Sequence, residues 1–278
     1  MSPTVTQAIL PIAGLGTRFL PWTKAVPKEM LPIGTRPIIA LIVDECLEAG
    51  IRDICFVISK GKEVIPRYFR RDDALEKELS KRGKGDLLDE LRKYDEVRFH
   101  VVYQEEQLGD GHAILQAEAW VESEEVAILF GDDLFVGGES GLRQLLRGYE
   151  ETAGEGERAV LAVENVPRDR TNRYGIIDVA GNYADSKRLW RVKGLVEKPA
   201  PGRAPSTLGI VGRYLIPRST FRMLRTTHSG TNDGEIRLID ALKGQLTSLP
   251  VFGYECEGKR LDTGTPEGYV DAAKHIWP

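Results

Sequence analysis

The stretch TQAILPIAGLGTRFLPWTKAVPKEMLP, Thr6–Pro32, decides how the chain folds. It opens on an apolar run, Thr6–Ile12, that ends in Ala-Gly-Leu-Gly, the pattern of a buried strand running into a tight turn. Arg18 and Lys28 follow within the next dozen or so positions. Ligands of open α/β sheets sit beyond the carboxyl ends of strands, so a glycine turn flanked by basic residues there is placed to meet an anion. Two familiar phosphate loops are excluded. A dinucleotide loop needs a third glycine three positions after Gly16, where Phe19 stands, and Pro21 stops any helix; a Walker loop needs Gly-Lys-Ser/Thr, and Thr17-Arg18 does not supply it. The remaining reading is an irregular loop, Ala13, Gly14, Leu15 and Gly16, that offers backbone N–H groups beside Arg18 and Lys28. Taken alone, a plain tight turn with two solvated charges explains these residues as well.

Outward from this loop the first half alternates strand-like and helix-like segments. Helices are expected at Pro37–Ala49, stopped by Gly50, and at Ala113–Trp120; strands at Asp53–Ser59, Val97–Tyr103 and Val126–Phe130. Asp73–Tyr94 carries leucines among many charges and reads as a surface helix or helical hairpin broken by Gly83 and Gly85. From Arg158 onward strands follow one another, at Ala159–Val163, Tyr174–Val179, Leu189–Val196 and Leu208–Ile216. Helices at Arg218–Leu224 and Glu235–Leu246, a strand at Leu249–Tyr254 and a helix at Thr265–His275, capped by Thr265 with Pro266 at its first position, complete the chain. The pattern predicts an α/β fold, a Rossmann-like three-layer arrangement whose mixed, mostly parallel sheet has helices on both faces. One domain, 1–278, is expected, with a nucleotide-binding part over about 1–135 and a second part over about 136–278.

The 278 residues are 41% apolar and 29% charged, as in a soluble globular protein, and the net charge of −4 argues against general nucleic-acid binding. No apolar run is long enough for a membrane span, and no signal peptide is evident, so no membrane partner is expected. Cys46, Cys55 and Cys256 show no metal-like spacing and read as small hydrophobes in a reducing compartment, which makes the cytoplasm the expected address.

Carboxylates and amides mark the other strand ends. Asp132 and Asp133 follow the apolar strand, and Asp262 lies in a later turn, Asp-Thr-Gly-Thr-Pro. Mg2+ takes one or two carboxylates together with phosphate oxygens and water, so aspartates from two loops suit it; helix capping and turn stabilisation explain each one singly. Gln104 ends a strand, and its carboxamide matches the imide edge of a pyrimidine, or is merely an exposed polar group. Glu197-Lys198 ends another, where Pro199 permits a bulge that would let both side chains serve one ligand, and reads otherwise as an exposed charge pair. His112 opens a helix and is expected to pack or cap there. No Ser-His-Asp or Cys-His arrangement is suggested.

The segment GLGTRFLPWTKAVPKEMLPIGTRPII resembles the amino-terminal signature of the sugar-1-phosphate nucleotidylyltransferases, and PKEMLP most resembles their bacterial UTP–glucose-1-phosphate uridylyltransferase branch. QLGDGHAIL (107–115), YGIID (174–178), VEKP (196–199), LGIVGRYLI (208–216), GEIRLIDAL (234–242) and LDTGTPEGY (261–269) extend the resemblance over nearly the whole chain. It implies the nucleotide-diphospho-sugar transferase type of fold, with UTP and glucose 1-phosphate as substrates. It implies Mg2+ on Asp132 and Asp262, and uracil read by Gln104 with Gly109 and the Ala13–Gly14 backbone, in a nucleotide site that also takes in Leu15 and Gly16. Glu197 would bind the hexose and Lys198 its phosphate, and Gly175 lets the backbone approach the sugar closely. The expected catalytic groups are Lys28 and Lys198, which neutralise developing charge, and Arg18, which holds the departing pyrophosphate. A homo-oligomer, dimer or tetramer, is likewise implied. Phe-Gly-Asp-Asp at 130–133 departs from the uridylyl pattern towards the thymidylyl one, so a thymidylyltransferase is the alternative within the family, and a non-catalytic nucleotide-sugar-binding subunit the alternative outside catalysis.

Overall fold

A computed structural model describes residues 5–227 and 234–277. The strands are β1 Gln7–Pro11, β2 Pro32–Ile33, β3 Arg36–Pro37, β4 Asp53–Ile58, β5 Arg98–Tyr103, β6 Glu125–Leu129 and β7 Asp133–Val136. They continue with β8 Ala159–Asn165, β9 Gly175–Asn182, β10 Leu189–Glu197, β11 Leu208–Pro217, β12 Val251–Glu255 and β13 Lys259–Asp262. The helices are α1 Ile38–Glu48, α2 Val64–Tyr68, α3 Asp73–Lys81, α4 Leu88–Arg92 and α5 Asp110–Gln116, then α6 Gly141–Glu151, α7 Thr220–Thr226, α8 Leu238–Gln245 and α9 Pro266–Ile276.

Nine strands form one sheet in the order β5-β4-β1-β6-β11-β8-β12-β10-β9. Pairing is parallel from β5 through β4 and β1 to β6, and again between β8 and β12; β11 and β10 run against their neighbours. The sheet is mixed, as expected, and its antiparallel part coincides with the second half, where strands follow one another without a crossover helix. Central strands are apolar on both sides because both faces are covered. Leu10, Phe56 and Leu129 pack with α1, α6 and α9, while Ile9, Val57 and Ile128 pack with α5, α7 and α8. Fully burying each such side chain contributes about 1.5–3 kcal/mol. Among the described residues no helix is long and apolar enough to cross a membrane. All three cysteines are free, with Cys46 and Cys55 buried.

Two features bring distant segments to one place. Register shifts between Arg191 and Gly194 bend β10, and its partner β9 turns back to meet β11 at Gly209–Ile176. A small ribbon pairs β13 with β7 antiparallel, which sets Asp262 opposite Asp133. Neither four-residue strand is announced by its own sequence.

Element limits differ from expectation in places. The helix expected at Ala113–Trp120 begins at Asp110 and gives way to a 3-10 turn at Glu118–Trp120, since Gly109 and Gly111 disguise its start. The segment expected as one helix over Glu235–Leu246 starts only at Leu238. Thr265 does cap α9, its hydroxyl accepting from Gly268 N, with Pro266 first in the helix.

Candidate active site

The carboxyl ends of β1, β5 and β6 open on a cleft of about 450 Å3. It is lined by Ala13, Gly14, Leu15 and Gly16, by Gln104 and Gly109, and by Lys28, Asp132, Glu197 and Lys198. A second cleft of about 210 Å3 continues from there, lined by Arg18, Asp132, Tyr174, Gly175, Glu197, Lys198, Tyr214, Arg260 and Asp262. Asp110, Phe130, Asp132, Glu197 and Lys198 belong to both and form the seam between them. Every residue singled out from the sequence as a site candidate thus lines one cleft or both.

The glycine loop owes its shape to local constraints. Gly16 adopts φ 65°, a left-handed conformation that costs a residue with a Cβ about 1–2 kcal/mol, and the Thr23 hydroxyl donates to its carbonyl. Below the loop, the buried Lys62 ammonium donates to Ile12 O at 2.6 Å and to both oxygens of the buried Glu29 carboxylate. Glu29 sits in the 3-10 turn Lys28–Met30, so this pair fixes the turn that presents Lys28. Removing one partner of a buried ion pair strands the other charge, at a cost of about 3–5 kcal/mol. We therefore expect Lys62→Met to lower the unfolding free energy by about that amount, read by chemical denaturation; a change under about 1 kcal/mol would contradict a stabilising role for the pair.

Lys28 Nζ lies 2.6 Å from Asp132 Oδ2. Burial works against both charges, but each outweighs it for the other: the lysine is held above its ordinary range and the aspartate below its own. The neighbouring carboxyl differs. Burial and the adjacent Asp132 charge push Asp133 up to about 6, and its side chain is tied to the Arg260 guanidinium at 2.5 Å. Arg260 also donates to Glu164 and to the Tyr174 hydroxyl. The turn carrying both aspartates is held from behind by fully buried Arg213, which donates to Phe130 O, Gly212 O and Asp133 O and pairs with Glu45 on α1.

Asp132 and Asp262, about half the chain apart in sequence, converge over Gly264. A methyl group built on Gly264 would lie 2.9 Å from Asp262 Oδ1, 3.0 Å from Asp132 Oδ2 and 3.6 Å from Arg18 Nη1. The two carboxylate oxygens are therefore within about 6 Å of each other. Thr263 N and Oγ1 both donate to Asp132 O and lock the two turns together. Among the described residues no group of three or more His, Cys, Asp or Glu side chains forms a self-sufficient metal cage. Two hard oxygen donors beside a glycine gap suit a divalent cation whose other ligands come from phosphate and water.

Gln104 is buried rather than exposed, and its carboxamide nitrogen donates to Gly109 O at 2.9 Å and faces His112 Nδ1 at 3.1 Å. Its role is narrower than the sequence suggests, for the nitrogen is spent internally and the oxygen is left to accept. His112, also 3.1 Å from Gln116 Nε2, orients that carboxamide. Gly109, at φ 98°, must be glycine because a Cβ would come within 2.5 Å of Ile236 O.

Lys198 corrects the expectation of a bulge. Its φ is +45°, left-handed for a residue with a Cβ, and its N–H bonds to Tyr174 O. That twist, in place of a bulge, lets adjacent Glu197 and Lys198 side chains face the same clefts, where they pair at 2.9 Å. Gly175 is demanded first by protein packing, since a Cβ there would meet Ile239 at 2.5 Å and Glu197 Oε2 at 3.3 Å.

Sequence reasoning misses Arg260, Lys62 and Arg213. Only Arg260 leaves a signal: it lies two residues before Asp262, hence on the same side of a strand. Asp110 carries no role that its sequence neighbours suggest; its Oδ1 accepts from Leu238 N at 2.9 Å, across to the start of α8.

The chain is similar to known proteins over nearly its whole length. The family described as nucleotidyl transferase matches residues 7–277. A Bacillus subtilis (strain 168) relative named UTP--glucose-1-phosphate uridylyltransferase is 42% identical over 267 residues, 96% of this chain and 89% of the relative. A crystal structure of UDP-glucose pyrophosphorylase complexed with UDP-glucose superposes with a TM-score of 0.85 at 33% identity, covering 98% of both chains. A UTP-bound UGPase from Acinetobacter baumannii gives 0.88 at 36% identity, covering 98% of this chain and 93% of that one.

Proposed function

The chain belongs to the nucleotidyl transferase family, and on that premise we propose that it transfers a uridylyl group from UTP to α-D-glucose 1-phosphate, giving UDP-glucose and pyrophosphate. The observation that carries this reading is the seam, where Asp132 and Lys198 line two connected clefts, with Lys28 on Asp132 from the larger and Asp262 and Arg18 in the smaller. Relatives named for the uridylyl reaction favour UTP over dTTP despite the Phe-Gly-Asp-Asp turn.

UTP lies in the larger cleft. The Gln104 oxygen accepts from the N3–H of uracil, while Gly109 and the Ala13–Gly16 backbone line the base and triphosphate. Glucose 1-phosphate enters the smaller cleft, with Glu197 accepting from its hydroxyls and Lys198 beside its phosphate. A phosphate oxygen of the sugar attacks the α-phosphorus and the bond to pyrophosphate breaks in line. The nucleophile is already an anion near neutral pH, its second pKa being about 6, so no general base is needed. The barrier is anion repulsion and alignment, which Lys28, Lys198 and Arg18 lower by charge and position. Asp132 and Asp262 would hold Mg2+, which supplies Lewis-acid charge stabilisation and a shared template for two phosphates when bound. The part over about 1–135 serves the nucleotide and the part over about 136–278 the sugar phosphate, with Glu235 and Arg237 reaching across. The same reading carries a cytoplasmic address, in keeping with three free thiols, and a homo-oligomer.

Pyrophosphate release from UTP, dTTP, CTP and ATP with glucose 1-phosphate tests the proposal. UTP should be preferred over CTP and ATP at least about tenfold, since a hydrogen-bonded base edge discriminates strongly, and dTTP, whose imide edge is that of uracil, should be used no better than UTP. A preference for dTTP, or no release from any of them, would overturn it.

A further inference from the structure

A cleft built for two polyanions contains acids that the proposed reaction does not use, and one of them lines both of its parts. Asp110 lies at the seam and lines both clefts. One oxygen is anchored by Leu238 N, so the carboxyl group does not swing freely. Burial, with the nearby Glu197 charge, pushes it up to about 6, whereas Leu238 N, Gly111 N and the Arg237 charge pull the other way. A neutral hydrogen-bond donor brought into the cleft would favour its ionised form. Tyr214, in the smaller cleft, feels the same two carboxylates. Triphosphate and pyrophosphate offer no donors and would be repelled. Sugar hydroxyls are neutral donors, and a carboxylate accepts them strongly.

Resting on the activity proposed above, we propose that Asp110 is a specificity-determining residue of the sugar site: beside Glu197, it accepts a hydroxyl of the sugar 1-phosphate and excludes sugars that carry a carboxylate of their own. The acid pair makes the hydroxyl-bearing end of the sugar site negative while Lys198 keeps its phosphate end positive. A neutral hexose 1-phosphate suits that polarity. A hexuronic acid 1-phosphate sets its carboxylate against Asp110 and Glu197.

The experiment compares the wild-type enzyme with Asp110→Asn, whose side-chain oxygen still accepts from Leu238 N. Pyrophosphate release is followed with UTP and either glucose 1-phosphate or glucuronic acid 1-phosphate. Asp110→Asn should raise KM for glucose 1-phosphate about 10- to 100-fold, the range of a hydrogen bond to a charged group, and leave KM for UTP within about twofold on the same ground. It should also raise the kcat/KM ratio of glucuronic acid 1-phosphate to glucose 1-phosphate at least about tenfold. Asp110 acting only as an anchor for α8 predicts no such split, because Asn preserves the anchor; equal changes for UTP and sugar, or none, overturn the assignment. Should the variant misfold, the wild-type enzyme still decides: glucuronic acid 1-phosphate must inhibit at least about tenfold more weakly than glucose 1-phosphate binds, and equal affinity refutes the role. Wild-type release from UTP and glucose 1-phosphate comes first. Its absence defeats the proposed activity, whereas normal release with an unsplit variant defeats only the role of Asp110.

Discussion

Replacing Lys28 or Lys198 by alanine should lower kcat about 100- to 1000-fold, the usual cost of losing one preorganised group that meets developing charge. The two losses should differ in kind. Lys198 is more than half exposed and, among the described residues, its charged partner is the neighbouring Glu197, so its removal leaves the fold untouched. Alanine tolerates the left-handed backbone no worse than lysine, both having a Cβ. Its deficit should appear in kcat and in KM for glucose 1-phosphate. Lys28 is paired with Asp132, and its loss also releases that carboxylate from the charge that holds its pKa down. Its deficit should appear in kcat, together with a steeper need for divalent cation as Asp132 seeks another counter-charge. Steady-state kinetics of both variants at saturating and limiting Mg2+ check this. Turnover within a factor of about five of wild type would remove the residue concerned from the reaction.

The second large effect concerns the two carboxylates over Gly264. Asp262→Asn keeps the size and one oxygen of the side chain, including an acceptor for Gly264 N, but removes its charge. Cation-dependent turnover should fall at least about 1000-fold, with the fold retained, because a hard cation bound by two carboxylates is poorly held by one. Asp133→Asn should do less to the cation and more to the ribbon, since Asp133 answers to Arg260. Measured cation activation curves separate the two. An Asp262→Asn enzyme that keeps the wild-type activation curve would assign the cation elsewhere.

Much of this site is legible in the amino-acid sequence because its residues stand at strand ends. Apolar runs followed by Gly, Gln or Asp mark where β1, β5 and β6 stop, and parallel strands stop on one rim. Local rules also suffice for the Thr265–Pro266 helix start and for the broken hairpin between Asp73 and Tyr94. What escapes them is long-range. Asp110 meets Leu238 across 128 positions and Arg213 meets Glu45 across 168, partnerships that no periodicity encodes. The β7–β13 ribbon is too short to show a pattern, yet it aligns Asp262 with Asp133. Lys198 adopts a conformation that lysine seldom chooses, imposed by the Tyr174 carbonyl and not by its own preference. Local propensity thus locates the chemistry, while tertiary contacts determine its orientation.

Electron paramagnetic resonance of Mn2+ added to the enzyme with UTP asks most directly whether Asp132 and Asp262 act as one site. One Mn2+ per chain should bind in the presence of nucleotide, and either Asp132→Asn or Asp262→Asn should weaken it at least about tenfold. Unchanged Mn2+ affinity in both variants would contradict the joint carboxylate site and the mechanism built on it.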